Sequence, residues 1–67
     1  MIRFKVDVME LLRSKGYSSY AIRQRNLIGQ AQLQKIRQGD IPSWGVLEKL
    51  CDLLDCQPGD LLEFVKE

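Results

Sequence analysis

Residues 18–39 read SSYAIRQRNLIGQAQLQKIRQG, and the fold turns on how this stretch divides. Ser18 or Ser19 can cap a helix by accepting a hydrogen bond from a backbone N–H in the first turn. Ala21 and Ile22 give that helix its apolar positions, and it is expected to end near Asn26. A tight connector follows, Asn26-Leu27-Ile28-Gly29. The next helix is expected from about residue 30 to 38, with Leu33 and Ile36 forming its buried stripe. Gly39 is a natural left-handed stop. Both helices are too short to persist alone and exist because something packs them. Ile22, Ile28, Leu33 and Ile36 are the residues placed to do so.

Working outward, the loop DIPS contains Pro42, which forbids helix continuation. Ser43 is a good N-cap for a fourth helix, WGVLEKLCDLLD, in which Leu47, Leu50, Cys51 and Leu54 repeat at i, i+3, i+4 and i+7. Gln57-Pro58 announces a fifth, because proline in the first helical position loses no needed donor. Asp60 in that first turn suits the positive end of the helix dipole. Leu61, Leu62, Phe64 and Val65 supply its apolar side if the helix runs on. Upstream, Ile2, Phe4 and Val6 alternate with Arg3 and Lys5 at a strand period. A helical period takes over with Val8, Leu11 and Leu12, from roughly residue 6 to 15, and Gly16 ends it. The expected fold is therefore all-α, a compact bundle of five short helices forming one domain over residues 1–67. The tail LEFVKE has a second reading, in which it turns extended and pairs with the RFKV start as a two-stranded ribbon.

Composition is that of a soluble globular chain, with 45% hydrophobic and 28% charged residues. No apolar run approaches the ~20 residues of a membrane span. Asp7 and Glu10 interrupt any signal-peptide pattern, so a cytoplasmic location is expected. Two cysteines and no histidine are too few ligands for structural zinc, and no metal site is expected. Cys51 reads as a small core residue and Cys56 as a thiol near a helix start. A bridge between them would close a tiny loop across a helix end, against the geometry a disulfide requires. An enzyme is not expected either, since no nucleophile–base pair or phosphate-cradling glycine loop is visible. The same holds for a cofactor site and a small-molecule substrate.

Net charge is only +1, but it is polarised. Residues 11–39 carry Arg13, Lys15, Arg23, Arg25, Lys35 and Arg37 with no acid, a net of +6. Residues 40–67 carry two bases and seven acids, a net of −5. Such a chain can hold a polyanion on one side and stay near-neutral overall. A helix, a turn of about four residues and a second helix is the plan of a helix-turn-helix, whose second helix enters the DNA major groove. With Leu33 and Ile36 inward, Gln30, Ala31, Gln34, Lys35 and Gln38 face out as base-reading candidates. Glutamine donates to and accepts from adenine, lysine donates to guanine, and alanine can approach a thymine methyl. Ser18, Ser19 and Tyr20 are candidates to bond phosphate oxygens. Arg13, Lys15, Arg23, Arg25 and Arg37 can add attraction to the backbone.

The sequence resembles the Cro/cI-type, lambda-repressor-like helix-turn-helix domains of the Xre family, and most of all its very small single-domain members. The resemblance rests on SSYAIRQRNLIGQAQLQKIRQG and, more specifically, on LEKLCDLLDCQPGDLLEFV. It implies a five-helix bundle binding double-stranded DNA as a transcriptional regulator, usually as a dimer on a two-fold site. It places base reading at Gln30, Ala31, Gln34 and Lys35, and phosphate contacts at Ser18, Ser19 and Tyr20. Two positions depart from the family. Arg23 stands where a small residue is usual and must snorkel outward. Leu27 stands where glycine is usual, so the Leu27-Ile28 pair is expected to plug the turn into the core while Asn26 takes the left-handed angle.

A protein-interaction module on the same fold is the competing class, motivated by Ile41 and Trp44 beside the loop after the reading helix. Tryptophan is favoured at binding hot spots; its alternative role here is to cover the core. A homodimer surface satisfies both functional readings. A toxin–antitoxin antitoxin ranks lower, for want of a separate toxin-binding tail.

Overall fold

A computed structural model describes residues 1–66. The chain runs β1 (Ile2–Phe4), α1 (Val8–Ser14), α2 (Ser19–Gln24), α3 (Gln30–Arg37), α4 (Trp44–Leu54), α5 (Pro58–Leu61) and β2 (Leu62–Phe64). Ten apolar side chains form a single buried cluster, to which every helix contributes. Leu12, Ile22 and Leu50 are wholly inaccessible, with Leu33 and Leu61 nearly so. Each such burial contributes about 1.5–3 kcal/mol. The helix α1 packs on α3 and α4.

The strict all-α expectation is corrected. The fold is mostly helical, but the two ends of the chain pair antiparallel, Ile2 with Phe64, Arg3 with Glu63 and Phe4 with Leu62. The ribbon reading of the tail is therefore the one that holds. Main-chain bonds continue beyond it, from the Lys5 N–H to the Leu61 carbonyl (2.9 Å) and from the Val65 N–H to the Met1 carbonyl (2.7 Å). The helix α5 is a single turn because Leu62 is already extended, at φ −117° and ψ 152°. A longer helix would leave the β1 backbone groups without these partners. Phe4 and Leu62 pack against the core, whereas Ile2 and Phe64 at the far end of the same ribbon face are exposed.

Helix starts follow the side chains. Asp7 accepts from the Glu10 N–H at 3.1 Å, Ser18 from Ala21 at 3.1 Å and Ser43 from Val46 at 3.4 Å. So α1 begins at Val8 and not at Val6, because Asp7 caps it. Leu11, read as an apolar position, is 36% exposed beside fully buried Leu12.

The first four helices end alike. Tyr17 N–H bonds the Leu12 carbonyl, Leu27 the Ile22 carbonyl, Asp40 the Lys35 carbonyl and Cys56 the Cys51 carbonyl, at 2.8–3.0 Å. In each case the residue just before the donor is left-handed: Gly16, Asn26, Gly39 and Asp55. This is the Schellman closure, which satisfies carbonyls that the helix itself cannot. Glycine takes the conformation freely, and Asn and Asp are the side chains that tolerate it best.

Candidate nucleic-acid interface

The unit formed by α2, its connector and α3 is held from inside. Asn26 has φ +52°, the turn that the sequence assigned to it in the absence of glycine at Leu27. The chain then runs inward, with Ile28 buried and Leu27 half-buried against the core. Arg23 is exposed, so the bulk that departs from the family pattern lies outside the packing. The second helix stops at Gln24, slightly before Asn26, because Arg25 and Asn26 are taken up by the closure.

On α3 the buried residues are Leu33 and Ile36. Gln30, Ala31, Gln34, Lys35 and Gln38 are all exposed. Their spacings of three and four residues put them on one helical face. Gln38 is the C-cap and not a helical residue, though it continues that face. The start of α3 has Gly29 as its N-cap, with no side-chain cap and no acid in the first turn. Its first N–H groups therefore lack the side-chain acceptor that serves α1, α2 and α4.

The basic residues are not equivalent. Arg37 donates from Nη2 to the Ser19 hydroxyl at 2.8 Å, tying the end of α3 to the start of α2. Ser19 keeps its own O–H free to donate, as does Ser18, whose oxygen accepts from Ala21. Arg25 lies over the Tyr17 ring, 6.0 Å from its centroid, a distance at the edge of cation–π attraction. Tyr20 is 69% exposed. Lys15 and Arg23 are exposed as well. Arg13 is the exception: its Nη1 meets Glu10 Oε2 at 2.8 Å, so a neighbouring carboxylate outside the acid-free stretch answers its charge. Such an exposed pair adds little stability.

One feature had no signal in the sequence. Gln32 is half-buried on α3, and its Oε1 accepts from the Ser43 N–H at 2.9 Å, linking α3 to the cap of α4. Glutamine reads as surface, and only the approach of the 40–43 loop gives it this role. Trp44 is 79% exposed, so it does not cover the core. It stands at the rim of an apolar groove of about 470 Å³, lined by Ile2, Ile41, Pro42, Leu47 and Leu62. Ile41 is half-buried in that lining. Among the described residues, no helix is long and apolar enough to cross a membrane, and no three His, Cys, Asp or Glu side chains gather as a metal site.

A family model described as the Cro/C1-type HTH DNA-binding domain matches residues 8–67, everything except β1 and the turn that caps α1. No curated protein and no solved structure matches the chain significantly. With nearly the whole length matched, the chain belongs to the Cro/C1-type helix-turn-helix DNA-binding family.

Proposed function

We propose that this chain is one cytoplasmic DNA-binding domain that acts as a sequence-specific transcriptional regulator and binds double-stranded DNA as a homodimer. In this reading α2 and α3 are the helix-turn-helix, and α3 enters the major groove from its N-terminal end. Gln30, Ala31, Gln34, Lys35 and Gln38 meet base edges. Ser18, Ser19, Tyr20, Lys15, Arg23, Arg25 and Arg37 meet the backbone, with Arg13 a weaker contributor. The observation that carries the proposal is the exposed, acid-free face of α3, with Arg37 and Ser19 joined beside it. A carboxylate there would be repelled by phosphate, whereas an uncapped helix start attracts phosphate.

Selection of bound duplexes from a random DNA library tests this. Enrichment of a two-fold-symmetric site with half-sites about one helical turn apart is the expected result. No enrichment by a folded sample would sink it. A second reading, an interaction module on the same fold, draws on Trp44 and the apolar groove beside it. We assign that groove to the homodimer contact, through Ile41 and Trp44. The two readings part on salt: DNA binding weakens by about 0.9 log units per tenfold salt for each phosphate neutralised, whereas an apolar contact does not.

A further inference from the structure

We propose that Cys51 and Cys56 form a thiol–disulfide exchange site, whose substrate is a low-molecular-weight disulfide such as oxidised glutathione. Neither residue belongs to the DNA-binding proposal. The closure of α4 brings them together: the Cys56 N–H bonds the Cys51 carbonyl at 3.0 Å. That bond and standard backbone spans hold the two Cα atoms within about 7 Å. A disulfide needs roughly 4.4–6.8 Å. The closure also turns the side chains at its two ends toward each other. Both thiols are free and half-buried, and both line one groove of about 290 Å³ with Trp44, Leu47 and Pro58.

Burial first, then the neighbouring Cys51, the Asp60 and Asp55 carboxylates and a hydrogen bond with Cys51, pushes the Cys56 thiol up from its ordinary pKa. Less of the Cys56 thiol is therefore ionised near neutral pH, and its exchange quickens as pH rises. In the reaction one cysteine thiolate attacks the small disulfide. Its S–S bond breaks, a mixed disulfide forms and one small thiolate leaves. The second cysteine thiolate attacks the protein sulfur of that mixed disulfide, forming the Cys51–Cys56 bond and expelling the second small thiolate. Two cysteine sulfurs are oxidised, the two reagent sulfurs are reduced, and the two cysteine protons end on the released thiols.

The test is equilibration of the full chain with mixtures of reduced and oxidised glutathione, in buffer and in urea, followed by acid quenching and intact-mass measurement. The expected product is a monomer lighter by two hydrogens. Its formation constant should be at least tenfold larger in the folded chain than in the unfolded one, because the fold holds the thiols together. Trp44 fluorescence should fall as the bond forms. Cys51→Ser and Cys56→Ser should each stop at a single mixed disulfide. An equal or smaller constant in the folded chain, or accumulation of mixed or intermolecular disulfides in the wild type, overturns the proposal.

Discussion

Arg37→Ala separates attraction to the DNA backbone from base reading. The side chain is exposed, and its one described bond is to Ser19. Its removal should cost under about 1 kcal/mol of stability, as for an exposed hydrogen bond. Binding is another matter. With Arg13 answered by Glu10, the backbone candidates are Lys15, Arg23, Arg25 and Arg37. Two copies neutralise at most about eight phosphates through them, so the plot of log affinity against log salt should slope no more steeply than about −7. Removing Arg37 from both copies should flatten it by about 1.8. A fourfold rise in salt would then weaken the variant about 3.5-fold less for each phosphate left unneutralised. Affinity for specific and random duplexes should fall by the same factor, leaving their ratio unchanged. Lys35→Ala and Gln30→Ala should do the reverse, each lowering that ratio by about 1–3 kcal/mol at the base it reads. Fluorescence anisotropy across a salt series, with the selected site and a scrambled duplex, measures all of these. An unaltered slope for Arg37→Ala, or equal small effects from all three variants, would refute the docking.

Leu50→Ala should destabilise by about 2–5 kcal/mol, since Leu50 is wholly buried; a urea melt showing less than about 1 kcal/mol would contradict the α4 packing. For a chain of this length that loss approaches the whole expected stability. Trp44→Ala should change stability by less than about 1 kcal/mol while shifting sedimentation toward monomer; a large loss of stability with intact dimer would overturn the assignment of its groove. The raised Cys56 pKa makes stability depend on alkaline pH. The unfolded chain loses that proton first, so stability is full below the ordinary thiol range and is lost as pH rises through the raised folded value. Urea melts from neutral to about pH 10 should show the fall, and Cys56→Ser should flatten it.

Much of the fold was legible because local rules and packing agree. Ser18, Ser43, Gly16 and Gly39 mark helix limits where backbone chemistry demands them, and Leu47, Leu50 and Leu54 mark the core side of α4 by spacing alone. Asn26 could be placed because a left-handed residue was needed and Leu27 could not serve cheaply. The failures lie where distant segments decide. Leu11 and Leu12 share one helical pattern, and only what packs on α1 separates exposed from buried. Leu62 and Phe64 fit the apolar side of either a helix or a strand, and the presence of β1 makes residues 62–64 a strand. Trp44, Gln32 and the Arg37–Ser19 bond depend on tertiary approach, which periodicity does not encode. The outward face of α3 was legible because its two buried residues fix the remaining directions.

The β1–β2 ribbon bears on how the chain acquires its shape. Arg3 and Glu63 meet across 60 residues of sequence, whereas each helix closes on carbonyls only a few residues away. Ordering a long loop before any pairing rewards it is slow, so the ribbon should be among the last elements to form and the first to fray. During synthesis β1 emerges before β2 and must wait for it. Through that interval Ile2 and Phe4 sit on an open strand edge, the kind of surface that recruits other chains. Arg3 within the strand and Lys5 just after it flank Phe4 and would then act as gatekeepers, their charge opposing association until Glu63 arrives.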